Sequence, residues 1–455
     1  MAGGNFKAQN KVLPAAYVNV VSSKQPITNA TERGVVFTVT QGLSWGVNGV
    51  VEVDNRTNFL ALLGVGIDDP LVTGLRYILQ KARKVFVYNF NQGAKATGTS
   101  EVLPWNFTAK YAGTKGNDVK VSVIPDPSNA ERFTVSTYLK TELVDTQSVT
   151  KASELLPNDF IKPTVKNGAL ADDGLTLLES LSTPIIVQLD GGTDGNVGEQ
   201  TDALIEAVET YDFNVLTAAG NEPSSAIHRL FAATAIRLRE DLGRKVQAVI
   251  PEVPNYTPDH EGVIVVGNGV KLADGTVITP TIAAGFIAGA TSAAETNESL
   301  TYALFPNAVE AVPRFNEEEQ IKRAKSGIMI FISNRDTAKI QVDLNSLTTF
   351  TNTKNREFSK NRVLRVLDDI ANDTRETWED HFIGRVTNDA GGRDLFKANR
   401  AEYLGRLQSL GAVADFDPSA DIQVEQGETK DSIVATINVQ PTDAMEKLYL
   451  TVIVN

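Results

Sequence analysis

The sequence predicts an α/β chain of α+β multidomain type: an α/β core, a small β-rich domain inserted into it, a C-terminal domain of helices closed by a terminal β-hairpin, and extended terminal arms. Three observations carry this. Strand-like and helix-like runs alternate between residues 185 and 333. The texture changes to short alternating runs between Thr97 and Leu181, and a period-two apolar alternation returns after Ile433. At 455 residues the chain exceeds what one hydrophobic core organises, so two to three domains are expected. The partition reads as an arm over 1–27, the core over 28–96 and 182–347, the insertion over 97–181 and the C-terminal domain over 348–455.

Taken in order, Ala16-Tyr-Val-Asn-Val-Val21 is one strand-like run in an otherwise polar arm, broken at Ser22 to Pro26. The β-branched Gly34 to Thr40 reads as a strand, Thr57 to Gly64 and Leu71 to Ala82 have helical spacing, and Val85 to Phe90 is a buried strand. Inside the insertion, Phe107 to Tyr111, Asp118 to Ile124 and Arg132 to Leu139 are strands between Gly, Pro and Asn turns. Ile185 to Leu189 runs into a glycine-dense turn, Asp190, Gly191, Gly192, Thr193, Asp194 and Gly195, which returns the chain to the core. Thereafter come a helix with Leu204 and Val208 inward, the strand Phe213 to Ala218, a helix over 224–242 and the strand Val246 to Ile250. Asn268-Gly269 and Asp274-Gly275 are each a favoured two-residue hairpin turn, so a small meander is expected. Helices near 283–294 and 316–324 and a strand over 327–333 complete the core. Val363, Leu367, Ile370 and Trp378 mark a long helix, residues 395–410 a second. Ile433 to Val439 and Leu448 to Val454 then form the terminal hairpin around a turn at Pro441 to Lys447.

The bulk chemistry excludes several function classes. A formal charge of −13 opposes a surface that tracks a nucleic-acid backbone. The absence of cysteine removes disulfides, thiolate metal sites and thiol nucleophiles together. The stretch Ile278 to Ala294 is too short for a membrane span, which needs about 20 apolar residues, and the N-terminus lacks the apolar core of a secretory signal. The protein is therefore expected to be made in the cytoplasm, with no direct membrane insertion.

Catalytic and cofactor motifs are missing. The three histidines, His228, His260 and His381, show no metal-ligand spacing and read as surface or satisfied helix residues. Asp259-His260-Glu261 reads as a solvated loop instead of a proton relay. Neither a phosphate-binding loop nor a nucleophile elbow occurs, and Gly267-Asn-Gly269 lacks the third glycine of a dinucleotide fingerprint. Position 192 is Gly, which spoils a calcium-loop reading of Asp190 to Asn196 in favour of a tight domain-crossing turn. Gly285-Phe-Ile-Ala-Gly289 reads as close helix packing. No catalytic residue, metal or cofactor is assigned.

The two ends are strand-capable segments joined to the body by polar or turn-rich sequence. A lone strand is marginal in water, so each needs a sheet to join. Both pair either within their own subunit or with a neighbouring one; the second option makes a head-to-tail contact, and such contacts build rings or filaments.

The motifs Ala16 to Val21, Gly34-Val-Val-Phe-Thr-Val-Thr-Gln-Gly-Leu-Ser-Trp-Gly46, Leu189-Asp-Gly-Gly-Thr-Asp-Gly195, Pro280 to Gly289 with Asn297-Glu-Ser-Leu-Thr-Tyr302, and the terminal hairpin occur in an order that resembles the contractile tail sheath proteins of phages and of phage-tail-like bacteriocins of Gram-positive bacteria. The resemblance spans nearly the whole chain. It implies a structural subunit that stacks as hexameric rings in a helical tube around an inner tail tube, contracts to drive that tube through a target envelope, and meets baseplate and tail terminator proteins. Released by lysis, it would belong to a virion tail or a bacteriocin particle. It further implies that Ala16, Tyr17, Val18, Asn19, Val20 and Val21 and, at the other end, Tyr449, Leu450, Thr451, Val452, Ile453 and Val454 are intersubunit strand linkers. The alternatives are an α/β enzyme of hydrolase type without a recognisable motif, or another tail or baseplate component.

Overall fold

The computed structural model describes residues 33–195 and 201–454, so the arm strand Ala16 to Val21 lies outside the described residues. Val35–Thr40 (β1) is buried along its whole length, as a parallel strand covered on both faces must be. It is followed by Gly49–Val53 (β2), Phe59–Leu63 (α1), Thr73–Leu79 (α2) and Lys84–Asn89 (β3). Asn58 caps α1 by accepting from the Ala61 N–H, and Gly64 closes it at φ 74°. β1 and β3 pair in parallel, with Val36 opposite Val85, and β2 runs antiparallel on the outer side of β3.

The chain then leaves the core for Thr97–Thr99 (β4), Trp105–Ala109 (β5), Val119–Asp126 (β6), Asn129–Leu139 (β7), Glu142–Val149 (β8), Ile161–Val165 (β9), Leu175–Glu179 (α3) and Ile185–Gln188 (β10). These make a four-stranded antiparallel sheet, β10-β6-β7-β8, and a three-stranded one, β4-β5-β9. Trp105, Phe107 and Phe133 are fully buried in a core that both sheets share. The indole N–H of Trp105 finds the Ala152 carbonyl at 2.9 Å, which satisfies the one polar group this ring carries inward.

Back in the core come Thr201–Thr210 (α4), Val215–Thr217 (β11), Ala226–Glu240 (α5), Gln247–Pro251 (β12), Val263–Val266 (β13), Gly269–Leu272 (β14), Val277–Ile278 (β15), Pro280–Ala293 (α6), Ala308–Val312 (β16), Glu317–Lys325 (α7), Ile328–Met329 (β17), Phe331–Asn334 (β18) and Thr337–Ile340 (β19). The main sheet has the order β17-β13-β12-β11-β1-β3-β2 and is parallel apart from β2. It is doubly wound. Helices α2 and α6 cover the face carrying Val36, Val85 and Val249, while α4 and α5 cover the face carrying Phe37, Phe86 and Leu216. Leu204 and Val208 are the buried residues of α4, as its spacing predicts.

One turn expectation is corrected. Asp274-Gly275 does close a hairpin, between β14 and β15, with Gly275 at φ 90°. Asn268-Gly269 does not: β13 stays in the parallel sheet and β14 pairs with β15 and β16. The Asn268 side chain is fully buried and bonds both the N–H and the C=O of Phe331, at 2.8 and 3.0 Å, mimicking a strand neighbour where the chain crosses from one sheet to another.

The C-terminal part comprises Asn361–Thr377 (α8), a π-helical turn Trp378–Phe382, Ala390–Ser409 (α9), Val413–Ala414 (β20), Pro418–Asp421 (α10), Ile422–Gln426 (β21), Ile433–Ile437 (β22) and Gln440–Pro441 (β23). Its apolar cluster is small and centres on Val366, Leu404, Leu407, Val413, Phe416 and Ile422. The terminal hairpin is corrected here. β22 pairs with β21 upstream, Ile422 opposite Ile437 and Gln426 opposite Ile433, and not with the last residues. Period-two alternation tells which face of a strand is apolar but not which segment it pairs with, and β21 lies one short connection away, residues 427–432.

Candidate functional site

In open α/β sheets ligands enter at the carboxyl ends of the strands, where the winding direction reverses. Here that place lies between β1 and β11, and it is filled by backbone. A Cβ on Gly74, in the first turn of α2, would stand 2.4 Å from the Ala219 carbonyl that follows β11. One on Gly285 would meet the Gly74 carbonyl at 2.8 Å, and one on Gly289 the Ile78 carbonyl at 2.3 Å. Gly285 and Gly289 thus let α6 sit directly on α2, the packing role expected for them. Beside it, Trp45 is buried with its N–H on the Ala61 carbonyl, and Asn89 holds the Trp45 carbonyl at 2.8 Å.

Asp259-His260-Glu261 is not a solvated loop. Glu261 is 4% exposed and sits among Arg239, Lys354 and His260. Arg239, equally buried, donates bidentately to Asp368 on α8 at 2.7 and 2.8 Å. Lys354 reaches both Glu261 and Glu240, at 2.7 and 2.8 Å. Glu240, His260 and Glu261 bring their ligand atoms within 4.8 Å of one another. Yet His260 Nδ1 accepts the Gly262 N–H at 2.9 Å, so Nε2 carries the proton and donates to Glu240 at 3.2 Å. With both imidazole nitrogens hydrogen-bonded within the chain, Lys354 bridging Glu240 and Glu261, and Arg239 tied to Asp368, the cluster forms an ionic joint between the core and α8. Burial lowers the His260 pKa, against the pull of Glu261. Burial raises that of Asp259, but hydrogen bonds from Thr348 and Thr349 outweigh it and hold the carboxyl at about 2. His228 is likewise buried and lowered by desolvation, its Nε2 against the Asn221 and Glu222 carbonyls.

The turn Asp190 to Gly195 lies against the strand by which the chain enters the insertion. Asp190 and Thr97 exchange both backbone hydrogen bonds, at 2.8 and 2.9 Å. Asn117 holds both backbone groups of Gly192, and Gly191 takes φ 77°. Asp194 accepts from the Thr114 N–H and hydroxyl and from Ser44, at 2.8, 2.9 and 3.1 Å, so its carboxylate is used as a staple to the core. Gly195 packs on Gln92.

The chain's last described residues are the reverse of this closed interior. Leu448 to Val454 has no strand partner among the described residues. Tyr449 is 90% exposed, Leu450 73%, Val452 74%, Ile453 79% and Val454 90%, with Thr451 exposed between them. Six large apolar side chains in seven residues, all in water, form a segment of the kind that monomeric proteins rarely leave uncovered.

The roots of both ends are fixed. Arg33, where the described chain starts, donates to the Ala294 carbonyl at 2.6 Å and to Thr296 at 2.8 Å, and pairs with Asp369 of α8. Burial, with help from Arg365, lowers its pKa to about 10, so it stays charged at neutral pH. At the other end Glu446 pairs with Lys360 at the start of α8 and accepts from Thr301 at 2.8 Å. None of these partners is legible from spacing, since each joins residues 86 or more positions apart.

Comparison with known proteins identifies the family to which this architecture belongs. Three family models match in succession: the phage tail sheath protein beta-sandwich domain over 91–194, the phage tail sheath protein central domain over 194–346 and the phage tail sheath C-terminal domain over 353–455. Among curated relatives, the phage-like element PBSX protein XkdK of Bacillus subtilis (strain 168) is 33% identical, with all of both chains covered. The tail sheath protein of Clostridium phage phiCD119 is 22% identical over 57% of this chain and 76% of its own. Among solved structures, the sheath tail protein of Desulfitobacterium hafniense is 33% identical over 96% of this chain and 99% of its own, with a TM-score of 0.78. The contracted helical sheath of the anti-feeding prophage shares the fold at 12% identity and a TM-score of 0.55, over 97% of this chain and 99% of its own. The chain belongs to the phage tail sheath protein family and is a tail sheath subunit.

Proposed function

We propose that this sheath subunit polymerises as stacked hexameric rings around an inner tail tube and contracts to drive the tube through a target cell envelope, its joints being strands exchanged between neighbours. The uncovered tail Tyr449 to Val454 is the observation that carries the reading. Exposed backbone and apolar side chains of this kind are satisfied by adding to a sheet edge. The two-stranded β21–β22 ladder is the matching acceptor: it has two free edges, Val434 on it is 58% exposed, and a two-stranded sheet alone is marginal. The arm strand Ala16 to Val21 would join in the same way. Strand links of this type keep subunits connected while the rigid bodies slide into a lower-energy packing, so no nucleotide needs to be hydrolysed in the sheath.

The same reading divides the chain into an arm over 1–27, a core over 28–96 and 182–347, an insertion over 97–181 and a C-terminal domain over 348–455. It makes the protein a non-enzymatic particle component, produced in the bacterial cytoplasm and released by lysis, whose partners are its own copies, the tube, the baseplate and the tail terminator. Among the described residues no helix is long and apolar enough to cross a membrane. Because the chain lacks cysteine, single cysteines can be placed cleanly. Co-assembled Val452→Cys and Val434→Cys subunits are expected to cross-link between chains on oxidation; polymers that form normally without any such cross-link would show that β22 is not the acceptor.

A further inference from the structure

Both ends of the described chain are fastened to one block. Its elements are α8 and the segment Ala294 to Thr301, which lies along it. Arg362 and Arg365 of α8 donate to the Asn297 and Glu298 carbonyls at 2.8 and 2.5 Å, and Asn297 reaches the Leu410 carbonyl at 2.7 Å after α9. Buried Asp343 locks the assembly from below, accepting from the Leu300 N–H at 3.0 Å and from Asn361 at 2.8 Å. Onto this block Arg33 is clamped through Ala294, Thr296 and Asp369, and Glu446 through Thr301 and Lys360.

We infer that α8 with Ala294 to Thr301 is a shared anchor for the two intersubunit arms, so that a pull arriving from one neighbour before Arg33 and a pull arriving from another after Glu446 meet on a single helix. The inference rests on the strand-exchange reading above and adds to it the path by which load crosses the subunit. Lys360 and Asp369 are nine residues apart, about 13.5 Å along the helix axis. The path therefore bypasses the inserted sheets and most of the parallel sheet. Without the anchor the tail would hang on little else: β23 pairs with β20 at two positions only, and Thr442 bonds the Ala412 carbonyl through its N–H at 2.9 Å and the Gly411 carbonyl through its hydroxyl at 2.6 Å. Charged hydrogen bonds that are largely shielded from water, with side-chain exposure of 25% and 16% for Lys360 and Glu446, resist such peeling better than a two-residue ladder.

Two measurements on the full-length protein test it. In the isolated subunit, Glu446→Gln is expected to speed amide exchange at Thr442 by about tenfold, the loss of one charged hydrogen bond, and Lys360→Ala by at least as much because Lys360 also pairs with Asp443 at 3.6 Å, while the exchange-swapped pair Lys360→Glu with Glu446→Lys restores protection. Unchanged exchange in all three variants would overturn the anchor. In polymers followed by electron microscopy through contraction, the single variants are expected to lose long contracted sheaths and the swap to recover them. Full-length contracted sheaths from subunits whose tail exchange is raised would refute the load path. Should deletion of 448–455 leave polymerisation intact, strand exchange itself fails, whatever the exchange data say of the anchor.

Discussion

The parallel core and the C-terminal part solve opposite problems with the same chain. The core buries Val, Ile and Phe on both faces of a seven-stranded sheet and closes the one crevice its topology offers by stacking α6 on α2 through glycines. The C-terminal part has only a small apolar cluster, holds its helices together with a fully buried Arg400, and leaves two-residue and five-residue ladders with open edges. The difference teaches that one half is closed within the subunit, while the other keeps open strand edges and an uncovered apolar tail, which the proposed strand exchange would have neighbours complete. A sheath needs both, a body that does not deform and an edge that does not close.

The comparison breaks most readily at Arg400. It donates to Asp373 at 2.7 Å, to Thr374 and Thr377 at 3.0 Å and to Asn399 at 3.0 Å, with no exposure. Arg400→Leu leaves Asp373 buried and unpaired, so a loss of about 3–5 kcal/mol is expected in the unfolding of the C-terminal part, read by calorimetry. Arg400→Leu combined with Asp373→Leu should recover much of it. If the single change were harmless, the buried pair would not be what holds α8 to α9.

In the core, Gly289→Val is expected to cost about 1–3 kcal/mol or more, because the added carbons meet the Ile78 carbonyl, which belongs to a helix that cannot shift alone. A melting temperature within error of wild type would mean that α6 and α2 are looser than the geometry requires.

The ionic joint between the two halves, and separately the core around His228, should be sensitive to acid. His260 and His228 titrate below their unfolded value of about 6.5, so the unfolded chain binds more protons and their contribution is complete above that pH and declines as pH falls toward the folded values. Glu240, Glu261 and Asp259 are also lowered, so theirs is present above about pH 4 and lost further down, Asp259 last at about 2. Thermal melts from pH 8 to 4 are expected to fall below pH 6.5, and His260→Gln should flatten part of that slope. A melting temperature that rises on acidification would reverse the sign.

The smallest effect on the monomer is expected in the tail. Val452 is 74% exposed, so Val452→Asp should change the subunit's stability by less than about 0.5 kcal/mol, while polymer yield drops sharply. A destabilised monomer would show that the tail packs on its own subunit.

What was legible in the sequence follows the same divide. β1, β3 and the inward pair Leu204 and Val208 of α4 were readable because burial on a sheet or helix face imposes a period, and a period survives in one dimension. The glycine pair of α6 was readable for a related reason, its four-residue spacing. Partners were not. The alternation at Ile433 to Ile437 marked a strand but not its pairing with Ile422 to Gln426, and Asn268-Gly269 has the letters of a hairpin turn while serving as a crossing between sheets. The joint of Arg239 with Asp368 and the clamps on Arg33 and Glu446 unite residues far apart in the chain, and charge at long separation leaves no pattern. Of the two proposed linker strands, Tyr449 to Val454 is exposed and has no strand partner among the described residues, and Ala16 to Val21 lies outside them.

The central claim, that the subunit's unfinished edge is completed by the tail of another copy, is tested most directly by removing residues 448–455 and following assembly by sedimentation and electron microscopy. The account predicts a folded monomer with an unchanged melting transition that forms no hollow helical polymer. Polymers of normal length and yield from the truncated protein would contradict it.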